Sequence, residues 1–347
     1  MARVRNKIEI LDGDGNLLWI VKDIESATLD KSINNPAVLS FLCPNSTQTA
    51  LIRSSLTRRN SIQALKNNVP IFTGPVGLVK TKHYSSIDVQ VDALDYMANL
   101  KGEFVELYDG LDSVPDHVAA ILAQQVSSRP VLVGAIEPTV DRDITITKAY
   151  QYDGITKLRD TVGGYLQVDA DRKLNWYWNL VESSGQQIRY RKNMIGITRE
   201  EDSLNFGNRL YIYGDGVTLV DAGWPTTYIE DTDSQALYDI VSRKLVEESF
   251  ATAATMLEYA KLKIKEMAWP RITYTIDVVN LEDFGLDNEA LELGSTVRLI
   301  DEDLDIDVDV PISRIVYDLV KGQNIKVELA ATSLNILDIV PGNYVLG

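Results

Sequence analysis

From Leu304 to Val310 apolar residues alternate with carboxylates: Leu304, Ile306, Val308 and Val310 share one parity, Asp303, Asp305, Asp307 and Asp309 the other. Period two puts the two sets on opposite faces of a strand. With the β-branched run Thr296 to Ile300 and the turn residues Asp301-Glu302-Asp303, the pattern predicts a hairpin within 293–319. Its acidic face is predicted to lie outside the core. The four aspartates are spaced along the strand by roughly 6–7 Å, too far to converge on one ion.

The same alternation occurs elsewhere. Ile8 to Leu11 and Leu17 to Val21 flank Asp12-Gly13, a tight-hairpin signal. Strand-like runs follow at Ser26–Leu29, Val38–Leu42, Val69–Phe72, Gly77–Val79 and Ser86–Val91, a spacing that suggests a small barrel or sandwich. Between them, 47–67 reads as a solvated polar excursion. Helical spacing then appears at 115–126, with Val118, Ile121, Leu122 and Val126 inward, and at 153–162, ended by Gly163-Gly164. A second hairpin is predicted from Tyr165–Asp169 and Leu174–Trp178. Beyond strands within 187–213, Asp231 or Thr232 caps a helical region 234–268 that Pro270 stops. That region is roughly three times an average helix of about 11–12 residues, so two helices or one kinked helix are expected. Strands 271–279 and 325–329 follow, then a tail.

Charge and composition narrow the functional classes. With 34 basic and 50 acidic residues, 34 − 50 = −16, the field of the chain repels a phosphate backbone. One cysteine, Cys43, excludes an internal disulfide and reads as a core residue. No segment has the roughly eighteen consecutive apolar residues of a membrane span, and no apolar stretch follows the basic N-terminus, so a soluble protein without an export signal is expected. Nucleotide-binding, serine-hydrolase and zinc-protease motifs are missing. The two histidines, His83 and His117, cannot supply most metal or triad arrangements; His117 is expected at the surface. Asp12, Asp14 and Asn16 suggest a calcium loop, but Leu17 and Asp23 stand where an EF-hand needs glycine and glutamate. Trp176 and Trp178, with Tyr177 between them, read as packing rather than as a sugar-stacking platform. No catalytic, cofactor-binding or metal-ligating residue is assigned, and no cofactor is expected.

Four stretches in order carry a family resemblance: YDGITKLRDTVGGYLQVDADRKLNW, RYRKNMIGITREEDSLNFGNRLYIYG, WPRITYTIDVVNLEDFG and LELGSTVRLIDEDLDIDVDVPISRIVYDL. Spanning about 150–330, they resemble the N-terminal structural region of siphophage tail-associated, or baseplate hub, proteins, a family also described as prophage tail or prophage endopeptidase tail proteins. The resemblance implies an α+β, β-rich fold: two tube-type β-barrel domains with a smaller α/β domain between them, similar to the myophage baseplate hub. It implies domains at 1–95, 96–195 and 196–335, the last with the helical segment 234–268, and a tail at 336–347.

The resemblance further implies a homotrimer at the virion tail tip, assembled in the bacterial host cytoplasm, that continues and closes the tail tube and gates DNA ejection. Implied partners are the distal tail protein, the tape measure protein and fibre or receptor-binding proteins, with DNA passing through the lumen without specific binding. The endopeptidase label finds no supporting residues, and the expectation is no enzyme activity. The alternatives are a tail-associated peptidoglycan hydrolase or endopeptidase, and a carbohydrate-binding module using Trp176 or Trp178.

Overall fold

The first seven strands are β1 (Asn6–Leu11), β2 (Leu17–Val21), β3 (Ser26–Ser32), β4 (Val38–Cys43), β5 (Ser61–Lys66), β6 (Val69–His83) and β7 (Ile87–Leu94). The computed structural model describes residues 6–44, 54–83, 87–178, 185–214, 216–246, 252–286, 290–322 and 324–332. The proposed tail at 336–347, and residues 47–53 of the predicted polar excursion, lie outside the described residues. All seven strands pair antiparallel in the order β3-β4-β7-β6-β5-β1-β2, around a core that includes Ile8, Leu39, Phe41, Ile62 and Val91. Cys43 belongs to this core, as expected.

Two readings change here. Residues 61–66, placed in a solvated excursion, are a strand with Ile62 and Ala64 fully buried. The two short runs at 69–72 and 77–79 are one strand of 15 residues. Gly74, Pro75 and Gly77 bend β6 instead of ending it. Its first half pairs with β5, a bulge falls between Val76 and Leu78, and its second half pairs with β7. Gly74 is required by close approach, since a Cβ there would lie 1.8 Å from the carbonyl oxygen of Leu94.

An α/β unit follows. A 3-10 turn at Tyr96–Gly102 leads to β8 (Phe104–Ser113), α1 (Val114–Leu122), β9 (Leu132–Ile136), β10 (Asp141–Tyr150), α2 (Gln151–Val162), β11 (Tyr165–Val168) and β12 (Lys173–Tyr177). β8 pairs with β10, and β11-β12-β9 form a second sheet. The helices fill the space between them with Val118, Ile121 and Leu158. Ser113 caps α1 and Gly163, at φ 90°, ends α2. α1 stops before Val126, which is 92% exposed. Trp176 is fully buried and donates to the Gly163 carbonyl at 3.0 Å.

The second barrel begins with β13 (Gln187–Arg189) and β14 (Met194–Asp202), is interrupted, and resumes with β18 (Arg271–Val279), β19 (Thr296–Asp301), β20 (Ile306–Asp318) and β21 (Asn324–Thr332). The interruption holds β15 (Arg209–Tyr213), β16 (Tyr228–Glu230), α3 (Thr232–Tyr238), β17 (Ser242–Val246) and α4 (Ala253–Met267) around a fourth apolar cluster containing Leu210, Met256 and Trp269. The helical segment 234–268 is thus two helices with a strand between them. Asp231 caps α3 by accepting from the Ser234 N–H, and Pro270 follows α4.

The hairpin predicted at 293–319 is β19–β20, with Ile306, Val308 and Val310 buried. Leu304 departs from that face: it lies in the turn, 54% exposed, beside Asp305 at φ 54°.

Candidate assembly surface

The two barrels are joined by β20. Its second half pairs with β21 of its own barrel on one edge and with β3 of the first barrel on the other. The result is a continuous eight-strand antiparallel wall, β14-β18-β21-β20-β3-β4-β7-β6. One row of paired residues runs straight across it: Met194, Val278, Ile325, Tyr317, Leu29, Leu39, Ala93 and Val76. Seven of the eight are buried and Tyr317 is half-buried, so this face is the shared core side. The other face carries polar side chains such as Thr28, Ser40, Asp92, Asp277 and Lys326.

The junction is fastened by Arg314. Its Nε donates to Asp30 Oδ1 at 2.8 Å and Nη2 to Asp30 Oδ2 at 2.5 Å, while Nη1 donates to Glu328 Oε1 at 2.6 Å. Asp30 belongs to the first barrel and Glu328 to the second, so one guanidinium ties both. The Asp30 carboxylate beside it raises the Arg314 pKa further above its ordinary value. Backbone bonds from Ile33 N–H to Ser313 O, 3.0 Å, and Leu319 N–H to Ala27 O, 2.8 Å, close the ladder at both ends.

The barrels repeat each other strand for strand. In chain order β3, β4, β5, β6 and β7 correspond to β14, β18, β19, β20 and β21. In each set the fourth strand pairs by its first half with the third and by its second half with the fifth. A bulge separates the halves, at Val76/Leu78 in one and Ile312/Arg314 in the other. The repeat differs in its connections: β3 and β4 are joined by a short loop, β14 and β18 by the whole unit at 203–270. It also leaves two edges without a strand among the described residues. These are β14 on the side away from β18, and residues 77–83 of β6 on the side away from β7.

The residues considered for chemistry do not converge. His117 is fully buried, not at the surface: it shares the helix face of Val114, Val118 and Ile121 and bonds to Tyr108 Oη at 2.6 Å and the Arg142 carbonyl at 2.7 Å. Burial pushes the Cys43 thiol up to about 11, far from a nucleophile's range. Asp12 accepts the backbone N–H groups of Asp14 and Asn16, both at 2.8 Å, so it orders the β1–β2 turn. Of the aspartates at the β19–β20 hairpin, Asp307 pairs with Arg298 at 2.7 Å. Among the described residues no group of three or more potential ligands could hold a metal ion, and no helix is long and apolar enough to cross a membrane. Trp178 lies beyond the end of β12, 44% exposed, so it does not share the buried position of Trp176.

Where the first barrel meets the α/β unit, Asn34 accepts from the Leu166 N–H through Oδ1, 2.7 Å, and from Tyr152 Oη through its carbonyl, 3.3 Å. Asp95 lies in the same groove. It accepts from the Ala37 N–H at 2.7 Å and the Met97 N–H at 3.0 Å, and burial nevertheless pushes its carboxyl up to about 6. Lys31, its charged neighbour, is held below the ordinary lysine range by burial.

Two joined barrels with α/β units at their sides define a class of fold, that of phage tail proteins related to the baseplate hub. The tail protein of Neisseria meningitidis MC58 superposes with a TM-score of 0.71 at 15% identity, covering 96% of this chain and 98% of that one. The 43 kDa tail protein of prophage MuSo2 from Shewanella oneidensis gives 0.70 at 13%, covering 93% and 98%. A third, the Escherichia coli c3393 protein, is described as a type VI secretion component similar to the T4 tail proteins gp27 and gp5; it gives 0.51 at 12%, covering 89% and 73%. No curated protein matches the chain. Residues 182–340 match the model of the family described as Prophage endopeptidase tail. The chain as a whole therefore has the fold of these prophage tail proteins.

Proposed function

We propose that this protein is a structural hub of a phage or prophage tail, a homotrimer at the tail tip that continues and closes the tail tube and gates DNA ejection. The observation that carries this reading is the wall. Two repeated barrels present one uninterrupted sheet whose inner face is buried against the rest of the molecule, which leaves the polar face for a lumen. That face carries Asp30, Asp88, Asp92, Glu200, Asp277, Asp318 and Glu328 against Lys80, Lys82, Arg314 and Lys326. An acidic excess, within a chain of net charge −16, disfavours phosphate contacts and lets DNA pass without binding.

In this reading the distal tail protein lies above, the tape measure protein inside, and fibre or receptor-binding proteins around the ring, assembled in the host cytoplasm. The domains are 1–95, an α/β unit from 96, and a second barrel reaching 335 with a tail at 336–347. In this reading the boundary lies before Gln187 rather than at 195, supported by the packing of Ile188 and Met194 in the second barrel's core. No catalytic step is assigned to the chain. Light scattering of the purified protein, followed by imaging of particles carrying a labelled chain, tests the proposal. A mass of three chains and a label at the tail tip are expected; a label on the capsid or midway along the tail would overturn it.

A further inference from the structure

Between the first barrel and the α/β unit lies a cavity of about 320 Å³ whose charge is opposite to that of the chain. Arg58 and Arg59, just before β5, line one side of it, and Arg129, between α1 and β9, lines the other. None of the three makes an ion pair among the described residues, whereas Arg142, Arg189, Arg209, Arg298 and Arg314 each hold a carboxylate. We infer that this cavity is a binding site for a dianionic phosphate group, either free or at the end of a phosphate monoester. The site is complete within one chain and does not depend on the hub reading.

The lining is built before any ligand arrives. Glu103 is buried, and its carboxylate accepts from the Val126 N–H at 3.0 Å and the Ser127 N–H at 3.2 Å, which fixes the turn that carries Arg129. Ser127 Oγ accepts from the Arg129 N–H at 3.1 Å. The Arg129 guanidinium then crosses to the first barrel and donates through Nη1 to the Arg59 carbonyl at 2.5 Å. That bond uses one N–H and leaves the rest of the fork free. Gly102 gives Arg58 its room, since a Cβ there would stand 3.3 Å from Nη2. The side chains of Arg58 and Arg59 donate to no described residue, so their forks stay open to a ligand.

Charge selects the ligand class. Three guanidinium groups against the one carboxylate of Glu103 leave two net positive charges on the lining. Like charges held this close repel one another unless a counter-ion joins them. A carboxylate or a phosphodiester, with one negative charge, neutralises half of the excess. A phosphate monoester above its second pKa of about 6 neutralises nearly all of it, and its oxygens match guanidinium forks in bidentate pairs. Arg172, 6.0 Å from the ring centroid of Tyr96, which also lines the cavity, adds attraction from outside. The volume is at the small end of the roughly 300–1,000 Å³ of ligand pockets, which fits a phosphate with a short substituent better than a protein segment. Because the walls come from two units, a bound phosphate bridges the first barrel to the α/β unit.

Isothermal titration calorimetry of the full chain tests the site with inorganic phosphate, glycerol 3-phosphate, dimethyl phosphate and acetate. One site per chain is expected for the first two, with binding of the two monoanions weaker by about tenfold or more. Tighter binding of glycerol 3-phosphate assigns the site to a monoester; tighter binding of inorganic phosphate assigns it to the free ion. Affinity should rise with pH through about 6 and then level, following the ligand, because arginine keeps its charge there and no histidine lines the cavity. Arg58→Gln and Arg129→Gln should each weaken binding by about tenfold or more, while Lys80→Gln, on the wall, should leave it unchanged. Circular dichroism checks the folding of each variant, and Arg58 is exposed, so its replacement leaves the core untouched. No heat of binding at millimolar phosphate, equal binding of acetate, or binding that survives both arginine substitutions overturns the assignment. So does a chain that ignores phosphate and binds a polyglutamate peptide through these arginines, which would give the surface to an acidic protein partner. The hub reading stands or falls separately, on the mass of the assembly and the position of the label.

Discussion

Replacing Arg314 by methionine keeps the aliphatic stem and removes the guanidinium that ties the two barrels. Three charge-assisted hydrogen bonds are lost, two to Asp30 and one to Glu328. In a buried setting each would be worth about 1.5–3 kcal/mol. Arg314 is 39% exposed, and exposed pairs contribute only about 0–1 kcal/mol, so the sum is discounted to about 2 kcal/mol. The loss falls on the β3–β20 ladder, so the assay is native-state hydrogen exchange at the Ile33 and Leu319 amides, which bond across it. Exchange there is expected to quicken about 30-fold, while the Glu25 amide, bonded to Leu42 within the first barrel, keeps its rate. High salt should narrow the difference between the two proteins. Unchanged exchange at the junction would refute the fastening role. An equal rise at Glu25 would show that the damage is global and that the argument from the junction is wrong.

The Asp95 carboxyl, at about 6, keeps a proton that the unfolded chain has lost. The native state therefore binds more protons between about pH 4 and 6, and this group's contribution to stability falls as pH rises through that window. Thermal scans of Asp95→Asn against the native protein should show the difference in Tm shifting in the variant's favour from pH 4 to 6 and then levelling; a constant difference would refute it. Trp176→Ala should destabilise the α/β unit by about 3–5 kcal/mol, from the cavity and the lost bond to Gly163, whereas Trp178→Ala should stay within about 0.5 kcal/mol in denaturant titrations. Cys43 should resist maleimide at pH 8 until the chain is unfolded, because burial holds the thiol near 11. Asn substitution of Asp88, Asp92 and Asp277 should slow DNA ejection from assembled particles if the polar face lines the lumen.

Much of the strand content was legible because alternation is local: β19–β20 and the β1–β2 hairpin follow from parity and turn residues. The failures share a cause. β6 reads as two runs because Gly74, Pro75 and Gly77 look like breakers, and only the strand passing over Gly74, with the Leu94 carbonyl oxygen 1.8 Å from where a Cβ would lie, shows why glycine is required there. β5 is hidden in the sequence because Ser61 and Gln63 dilute six residues whose burial is decided by β1 and β6 on either side. For His117 the signal was present: it lies three residues after Val114 and four before Ile121, on the buried face, but the neighbouring Pro115 and Asp116 suggested exposure.

The repeat of the two barrels was the least legible feature, and it carries the functional argument. In sequence, β3 and β4 are five residues apart and their counterparts β14 and β18 are separated by 203–270, so no fixed period exists to detect. The correspondence rests on pairing and on two bulges, neither of which is a property of residue type. Insertion between β14 and β18 is tolerated because a loop at that end of the wall leaves the pairing of all eight strands intact. What the repeat conserves is the fourth strand, bent halfway so that its second half can serve two edges at once. In β20 both edges are used; in β6 one is still open, and an open, uncapped edge on an exposed sheet is a liability that proteins normally cover. Among the described residues neither proline nor a helix covers residues 77–83, so the exposed Lys80 and Lys82 are what discourages uncontrolled pairing along that edge.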